Sequence, residues 1–350
     1  MLKIFINKYY KAVLLKNKNR GGFQLSKITR ILSLILLTTM LLTLFSGCGT
    51  GEEAEPPTPV EEEIEEEEKE EEEEEEKVIK VEKVNPVTVV INNHPSARPQ
   101  SGLQQASRIY EFLVESGMTR FLAVYDTSFE EDFTIGPVRS LRPYLGVKAA
   151  EYGGIVAHSG YSHRTREMIR GLGLKEIVSS TYLWRDSSRR APHNLYTSIN
   201  ELHSYLGDNL ETEKIEIEPE ELTIPVKSAP NIKVEYSNNN IVTYEYGKRN
   251  EDKGVYLRFI NEIPHKDLTT GKQYYAQRVI VQKVPHSHVP GTALVDIKLD
   301  GRGEGLLYEK GKKYSLTWEN KEGTTSYYYE DGSPVELDWG TTWIQIVKSL

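Results

Sequence analysis

The chain has 350 residues, 38% of them hydrophobic, with 43 Lys and Arg against 52 Asp and Glu and a net charge of −9. Residues 1–47 carry +8 and no acid, residues 52–77 hold 17 Glu and 2 Lys, and residues 78–350 are left with −2. A near-neutral body argues against a nucleic-acid binder, and a single cysteine excludes an intramolecular disulfide.

Eight basic residues, from Lys3 to Arg30, precede an apolar run over residues 31–45 and the tetrapeptide Phe45-Ser46-Gly47-Cys48. A cationic start, a short apolar stretch and small residues at the cut form an export signal. The run is also shorter than the ~20 residues that cross a bilayer comfortably. Cleavage before Cys48 would leave it as the new N-terminus, a pattern that resembles the lipobox of bacterial lipoproteins, in which that thiol is acylated. The expectation is a signal peptide over 1–47 and a palmitate-type lipid anchor on Cys48. The protein is then held at the extracytoplasmic face of the cell membrane; an uncleaved N-terminal anchor is the alternative.

Residues 48–83 pass through Pro56, Pro57 and Pro59 into almost pure glutamate. With so few lysines to pair at i+4, the carboxylates repel one another, and the sequence predicts a disordered, acidic tether. The folded body begins near residue 84. Residues 87–91 are β-branched and predict a buried strand ended by Asn92-Asn93-His94-Pro95. Ser101 and Gln104 have capping-box spacing, and Leu103, Ala106, Tyr110 and Leu113 fall on one helical face, predicting a helix up to Gly117. Strands follow at 121–125 and 155–158. Between them Pro137 opens a helical turn that Pro143 interrupts. A helix is predicted over 164–170, and a second capping box, Ser198 with Glu201, precedes a helix ending at Gly207. Alternating strands and helices make residues 84–207 an α/β domain, a sheet with packed helices.

Residues 208–230 read as a linker. From 231 to 350 the helical period is gone: strands are predicted at 241–246, 254–260, 275–281, 294–299, 314–317, 325–329 and 343–347, with a turn at residues 330–333. The second part is therefore an all-β or β-rich domain. His286-Ser287-His288 between Pro285 and Pro290 reads as an exposed loop, and Gly301-Arg302-Gly303-Glu304-Gly305 as a turn between strands.

Chemistry-bearing residues concentrate in the first part, in residues 97–102, 136–143, 157–162 and 184–196. In an open α/β sheet, loops at the carboxyl ends of strands converge where ligands bind. Arginine suits such a place because its planar fork pairs with phosphate or carboxylate. The expected ligand-binding set is Arg98, Arg139, Ser140, Arg142, His158, Ser159, Arg185, Asp186, Arg190, His193 and Asn194. The alternative is that these arginines are paired internally with Asp126, Asp186, Glu111 and Glu115. Ser159, His158, His193 and Asp186 include the residue types of a serine hydrolase, but no Gly-x-Ser-x-Gly elbow is present. No metal-ligand spacing or cofactor motif occurs, so no metal or cofactor is expected and no catalytic residue is assigned.

The strings Gly136-Pro137-Val138-Arg139-Ser140-Leu141-Arg142-Pro143 and Ala191-Pro192-His193-Asn194-Leu195-Tyr196, with Gln100-Ser101-Gly102-Leu103, Thr119-Arg120-Phe121 and Trp343-Ile344, resemble the YerB-like lipoproteins, a two-part bacterial family of unknown function. The resemblance covers about residues 85–348. It implies an N-terminal α/β part and a C-terminal β part on a lipoprotein, and it brings no activity with it. Three functions follow as expectations. The first is binding of an anionic cell-envelope component in an Arg/His-lined cleft. The second is an envelope hydrolase or phosphotransferase using His158 or His193, and the third a scaffold that meets a protein partner through the β domain.

Overall fold

A computed structural model describes residues 86–126, 129, 131–207, 227–229, 231–249, 252–337 and 339–350. Cys48, the signal segment and the acidic run lie outside the described residues, as does most of the 208–230 linker. The N-terminal part comprises β1 (Val87–Asn92), β2 (Arg108–Leu113), β3 (Thr119–Tyr125), β4 (Thr134–Ile135), α1 (Pro143–Ala150) and β5 (Ile155–Ala157). It continues with α2 (His163–Ile169), β6 (Lys175–Ile177), β7 (Trp184–Arg185), β8 (Leu195–Ser198) and α3 (Ile199–Leu206).

The described C-terminal residues contain strands and no helix. They are β9 (Lys227–Ser228), β10 (Asn231–Ser237), β11 (Asn240–Arg249), β12 (Asp252–Ile260), β13 (Ile263–Pro264), β14 (Tyr275–Ala276) and β15 (Arg278–Lys283). Then come β16 (His286–His288), β17 (Val295–Ile297), β18 (Gly301–Glu309), β19 (Lys312–Lys321), β20 (Thr324–Tyr329) and β21 (Thr342–Val347). An α/β part is thus followed by a β-rich part.

One eleven-stranded sheet runs through both, in the order β20-β19-β18-β15-β21-β2-β3-β1-β5-β6 with β9 beside β19. The join is β21, which lies parallel to β15 and to β2, so that Ile344 faces Ile280 on one side and Tyr110 on the other. Every residue of β1, β3 and β21 is buried, because both faces of the sheet are covered. Alternate side chains go to opposite cores, as the two-residue period of a strand requires. Val87, Val89 and Ile91 join Phe121, Ala123 and Trp343 in a core that includes Ile199 and Leu202 of α3 and Val242, Tyr244 and Tyr256 of the sheet β10-β11-β12-β13. Val90, Leu122 and Ile344 enter the other core with Leu145 and Ala149 of α1 and Ile169 of α2.

Local signals held where the local chain decides the outcome. The Ser198 hydroxyl accepts the Glu201 N–H and starts α3, which ends at Gly207. The turn at 330–333 closes with Gly332 N–H donating to the Tyr329 carbonyl. Four expectations are corrected. The helix predicted from Ser101 to Gly117 is only a 3-10 turn (Leu103–Gln105) followed by β2. Ile109 serves one core and Tyr110 and Phe112 the other, so burial on both faces produced apolar spacing that mimicked a helix. Gln104, the expected capping residue, instead brackets the Tyr275 main chain. Pro143 does not interrupt a helix; it opens α1, where a missing N–H costs nothing. Residues 301–305 form no turn but extend β18, where Gly303 leaves room for Trp318: a methyl there would lie 2.8 Å from its Nε1. His286 and His288 likewise lie in a two-stranded hairpin with β17.

Candidate functional site

β1 and β5 run parallel, which brings their carboxyl ends to one edge. Main-chain hydrogen bonds tie the four polar segments together there. Asn92 N–H donates to the Pro137 carbonyl at 2.9 Å, Arg139 N–H to Val90 at 2.8 Å, Ser159 N–H to Arg139 at 3.0 Å and Val138 N–H to Leu195 at 2.6 Å. Ser101 and Gly136 exchange both of their main-chain bonds. Arg189 supplies a side-chain clamp, donating to the carbonyls of Ser96, Arg98 and Pro99 and to the Tyr196 hydroxyl.

His193 sits in this junction, half-buried. Its Nδ1 lies 2.8 Å from Asn92 Nδ2, and its ring stacks on that of His94, with centroids 4.7 Å apart and planes 18° from parallel. Partial burial lowers the His193 pKa below its ordinary value, and His94, Arg139 and Arg189 act in the same direction. Arg139, also half-buried, makes no side-chain hydrogen bond or ion pair with any described residue. Burial depresses its pKa first, and Arg142 and Arg185 act in the same direction against Glu115. Among the described residues the junction thus holds one guanidinium without a side-chain partner.

The remaining predicted residues divide. Arg185 Nη1 donates to Asn194 Oδ1 at 2.8 Å, while Asn194 Nδ2 donates to the carbonyls of Asp186 and Arg189, bracing the loop. Ser140 Oγ donates to the Ser159 carbonyl at 2.8 Å, so both serines hold segments together. Arg190 is exposed and Asp186 accepts the Ser188 N–H. Arg142 is paired internally, its Nε 2.6 Å from Glu115 Oε1 and its Nη2 bridging the same oxygen. Arg98 points away, to Asn93 and to Asn240 of β11. His158 is buried with one ring nitrogen 3.2 Å from the Gly160 carbonyl and the other 3.1 Å from Glu176 Oε2. Both its nitrogens are turned to protein groups and the side chain is buried, so neither is presented to a ligand. Asp186 turns to Ser188 and His193 to Asn92, so no Ser-His-Asp relay is assembled among them. Among the described residues no group of three or more His, Cys, Asp and Glu is placed to hold a metal ion.

Sequence reasoning missed Asn92, His94 and Arg189. His94 looked like strand-ending punctuation, although a histidine just past the carboxyl end of a strand was a usable signal. Nothing in the sequence separated Arg189 from Arg185 and Arg190.

Behind the junction lies a buried polar network. Arg258 Nη2 is 2.7 Å from Glu111 Oε2, and Arg258 also donates to the Tyr244 hydroxyl and to His265 Nδ1. His265 Nε2 donates to Gln100 Oε1 at 2.7 Å, and Gln100 Nε2 donates to the Asn92 carbonyl at 2.9 Å. A continuous path of hydrogen bonds therefore connects the β-rich part with the residue that touches His193.

Two family models match the chain: "Protein of unknown function (DUF3048) N-terminal domain" over residues 71–213 and its C-terminal counterpart over residues 232–344. The chain belongs to the DUF3048 family. A curated relative, "Putative lipoprotein YerB" of Bacillus subtilis (strain 168), is 31% identical over 287 residues, covering 77% of this chain and 83% of that protein. A crystal structure of YerB protein from Bacillus subtilis matches with a TM-score of 0.65 at 31% identity, covering 79% of this chain and 94% of that one. These similarities establish the two-part family and its fold. The DUF3048 description assigns no activity.

Proposed function

We propose that this DUF3048 protein is a lipoprotein acylated on Cys48, held at the extracytoplasmic face of the membrane, that binds an anionic cell-envelope component at the junction of Arg139, His94 and His193. The export-type N-terminus and the lipoprotein name of the Bacillus relative support the location. The ligand reading rests on Arg139. Among the described residues this half-buried guanidinium has no carboxylate bonded to it, and Arg142 and Arg185 act on it against Glu115; a charge-assisted bond to an oxyanion would neutralise it. Binding is favoured over catalysis because His193 Nδ1 is occupied by Asn92 and both His158 nitrogens are engaged.

Arginine-selective labelling with phenylglyoxal, read by mass spectrometry, tests the proposal. Phosphorylated or carboxylated glycan fragments should slow modification of Arg139 while leaving that of the exposed Arg190 unchanged. Equal rates for Arg139 with and without every such fragment would reject it.

A further inference from the structure

The way Asn92 is held determines what the two histidines can offer a ligand; the inference rests on the anion-binding reading above. Asn92 is the last residue of β1, and both ends of its amide are used. Oδ1 accepts the His94 N–H at 3.1 Å, which fixes the direction of the amide, so the atom facing His193 Nδ1 at 2.8 Å is the NH2 group. That group has only protons to give. His193 Nδ1 is consequently the lone-pair nitrogen, and the ring proton is on Nε2. His94 is held alike, its Nδ1 accepting the Ser96 N–H at 3.1 Å. Two stacked neutral rings result, each with an Nε2–H that has no partner among the described residues.

The groups around them are donors too. Arg139 reaches in from the segment before α1 and Arg189 from the loop that carries His193, while Arg142 and Arg185 flank Arg139. The carboxylates of the neighbourhood are engaged: Glu115 by Arg142 and Arg120, Asp186 by Ser188, and Glu176 by His158. A ligand that brought its own proton would meet mostly donors, and an unpaired donor in a part-buried site is costly. Nor can either ring ligate a metal through Nε2 while its Nδ1 accepts a hydrogen bond.

We infer that Asn92 is the specificity-determining residue of this site: by locking His193 as a neutral Nε2–H donor beside His94, whose Nδ1 the Ser96 N–H occupies, it selects oxyanions that carry no proton, such as phosphodiesters and carboxylates, over half-protonated phosphomonoesters. A site that worked through imidazolium charge would bind every anion more tightly as the medium is acidified. This one behaves differently. Burial and the neighbouring cations already hold His193 neutral, and protonating it at Nδ1 would set two donors against each other.

The test is calorimetric titration of the full chain in detergent with glycerophosphoglycerol as diester, glycerol 3-phosphate as monoester and glucuronate as carboxylate, from pH 6 to 8. Diester or carboxylate affinity should stay within about threefold across the range, and whichever of the two binds identifies the ligand's source. Monoester affinity should rise as its second proton leaves near pH 6. Nitrogen-15 spectra of histidine-labelled protein, which need no ligand, should show His193 Nδ1 unprotonated. In Asn92→Asp the new carboxylate would accept an Nδ1 proton, so the tautomer should switch and diester affinity should become acid-dependent. A protonated His193 Nδ1 in the unaltered chain, or diester affinity that rises tenfold from pH 8 to 6, would overturn the inference while leaving anion binding intact. Failure of all three probes at every pH would remove both.

Discussion

Glu111 and Arg258 form an ion pair at 2.7 Å in which neither side chain reaches solvent. Glu111 belongs to β2 and Arg258 to β12, so the pair joins the α/β part to the β-rich part. Both charges are otherwise satisfied: Thr119 Oγ1 and Asn93 Nδ2 donate to Glu111, and the Arg258 guanidinium stacks 4.3 Å from the Trp343 ring centre. Burying two charges is tolerable only with such additional bonds.

Removing one partner should therefore be far worse than removing both. Glu111→Leu is expected to destabilise the fold by about 3–5 kcal/mol, because it strands a buried guanidinium. The double variant Glu111→Leu with Arg258→Met should lose less than the sum of its single variants. Urea denaturation of the four proteins measures the coupling.

The shared sheet predicts one cooperative unfolding event for the described body. β21 is hydrogen-bonded to β15 and β2 along most of its length. Ile344→Asp, which places an unpaired charge in a fully buried strand, should unfold both parts together. Tryptophan fluorescence, which reports Trp184 of the α/β part and Trp318, Trp339 and Trp343 of the β-rich part, and far-ultraviolet circular dichroism should give the same midpoint.

His265 predicts an acid sensitivity. Burial first, then the charges of Arg258 and Arg98, hold its pKa well below 6.5 in the folded protein. The unfolded chain takes up this proton near pH 6.5 and the folded chain does not, so stability is unaffected above that pH and declines below it. The slope from this residue approaches ~1.4 kcal/mol per pH unit. His158, His193 and His286 are shifted in the same direction. Thermal melts from pH 7.5 to 5 should show the decline, and His265→Gln should make it shallower.

Gly136 predicts a backbone requirement at the junction. Its φ is +151°, and a methyl group there would lie 2.7 Å from Tyr196 Cδ1 and 3.0 Å from the Leu195 carbonyl. Gly136→Ala should cost about 1–3 kcal/mol and displace the segment that carries Arg139. A lowered melting temperature with weakened anion binding checks both effects.

What the sequence disclosed and what it concealed follow from the range of the interactions involved. Residues 87–91 were legible as a strand, and Ser198 with Glu201 as a helix start, because neighbours a few residues apart decide both. β2 was not legible, since Arg108–Leu113 lacks the β-branched run that marked β1 and sets its apolar residues at a spacing a helix also gives. The continuity of the sheet depends on β21 meeting β2 from the far end of the chain, and no local pattern announces it. The polar strings around Arg139 and His193 were visible as residue types. That Arg142 is neutralised by Glu115 and Arg98 is hydrogen-bonded to Asn93 and Asn240, while Arg139 has no side-chain partner among the described residues, is a tertiary outcome. So is the amide of Asn92 that sets the tautomer of His193.

Direct titration of the full chain with an anionic envelope glycan, alongside the Arg139→Ala variant, decides whether Arg139 holds an oxyanion. Binding should be measurable and should weaken as salt is added, because exposed charges are screened within about 10 Å at 0.1 M ionic strength. Arg139→Ala should lose at least about tenfold in affinity, the size of a lost charge-assisted hydrogen bond. Equal affinity in the two proteins, or no binding of phosphate- or carboxylate-bearing glycans to either, would contradict it.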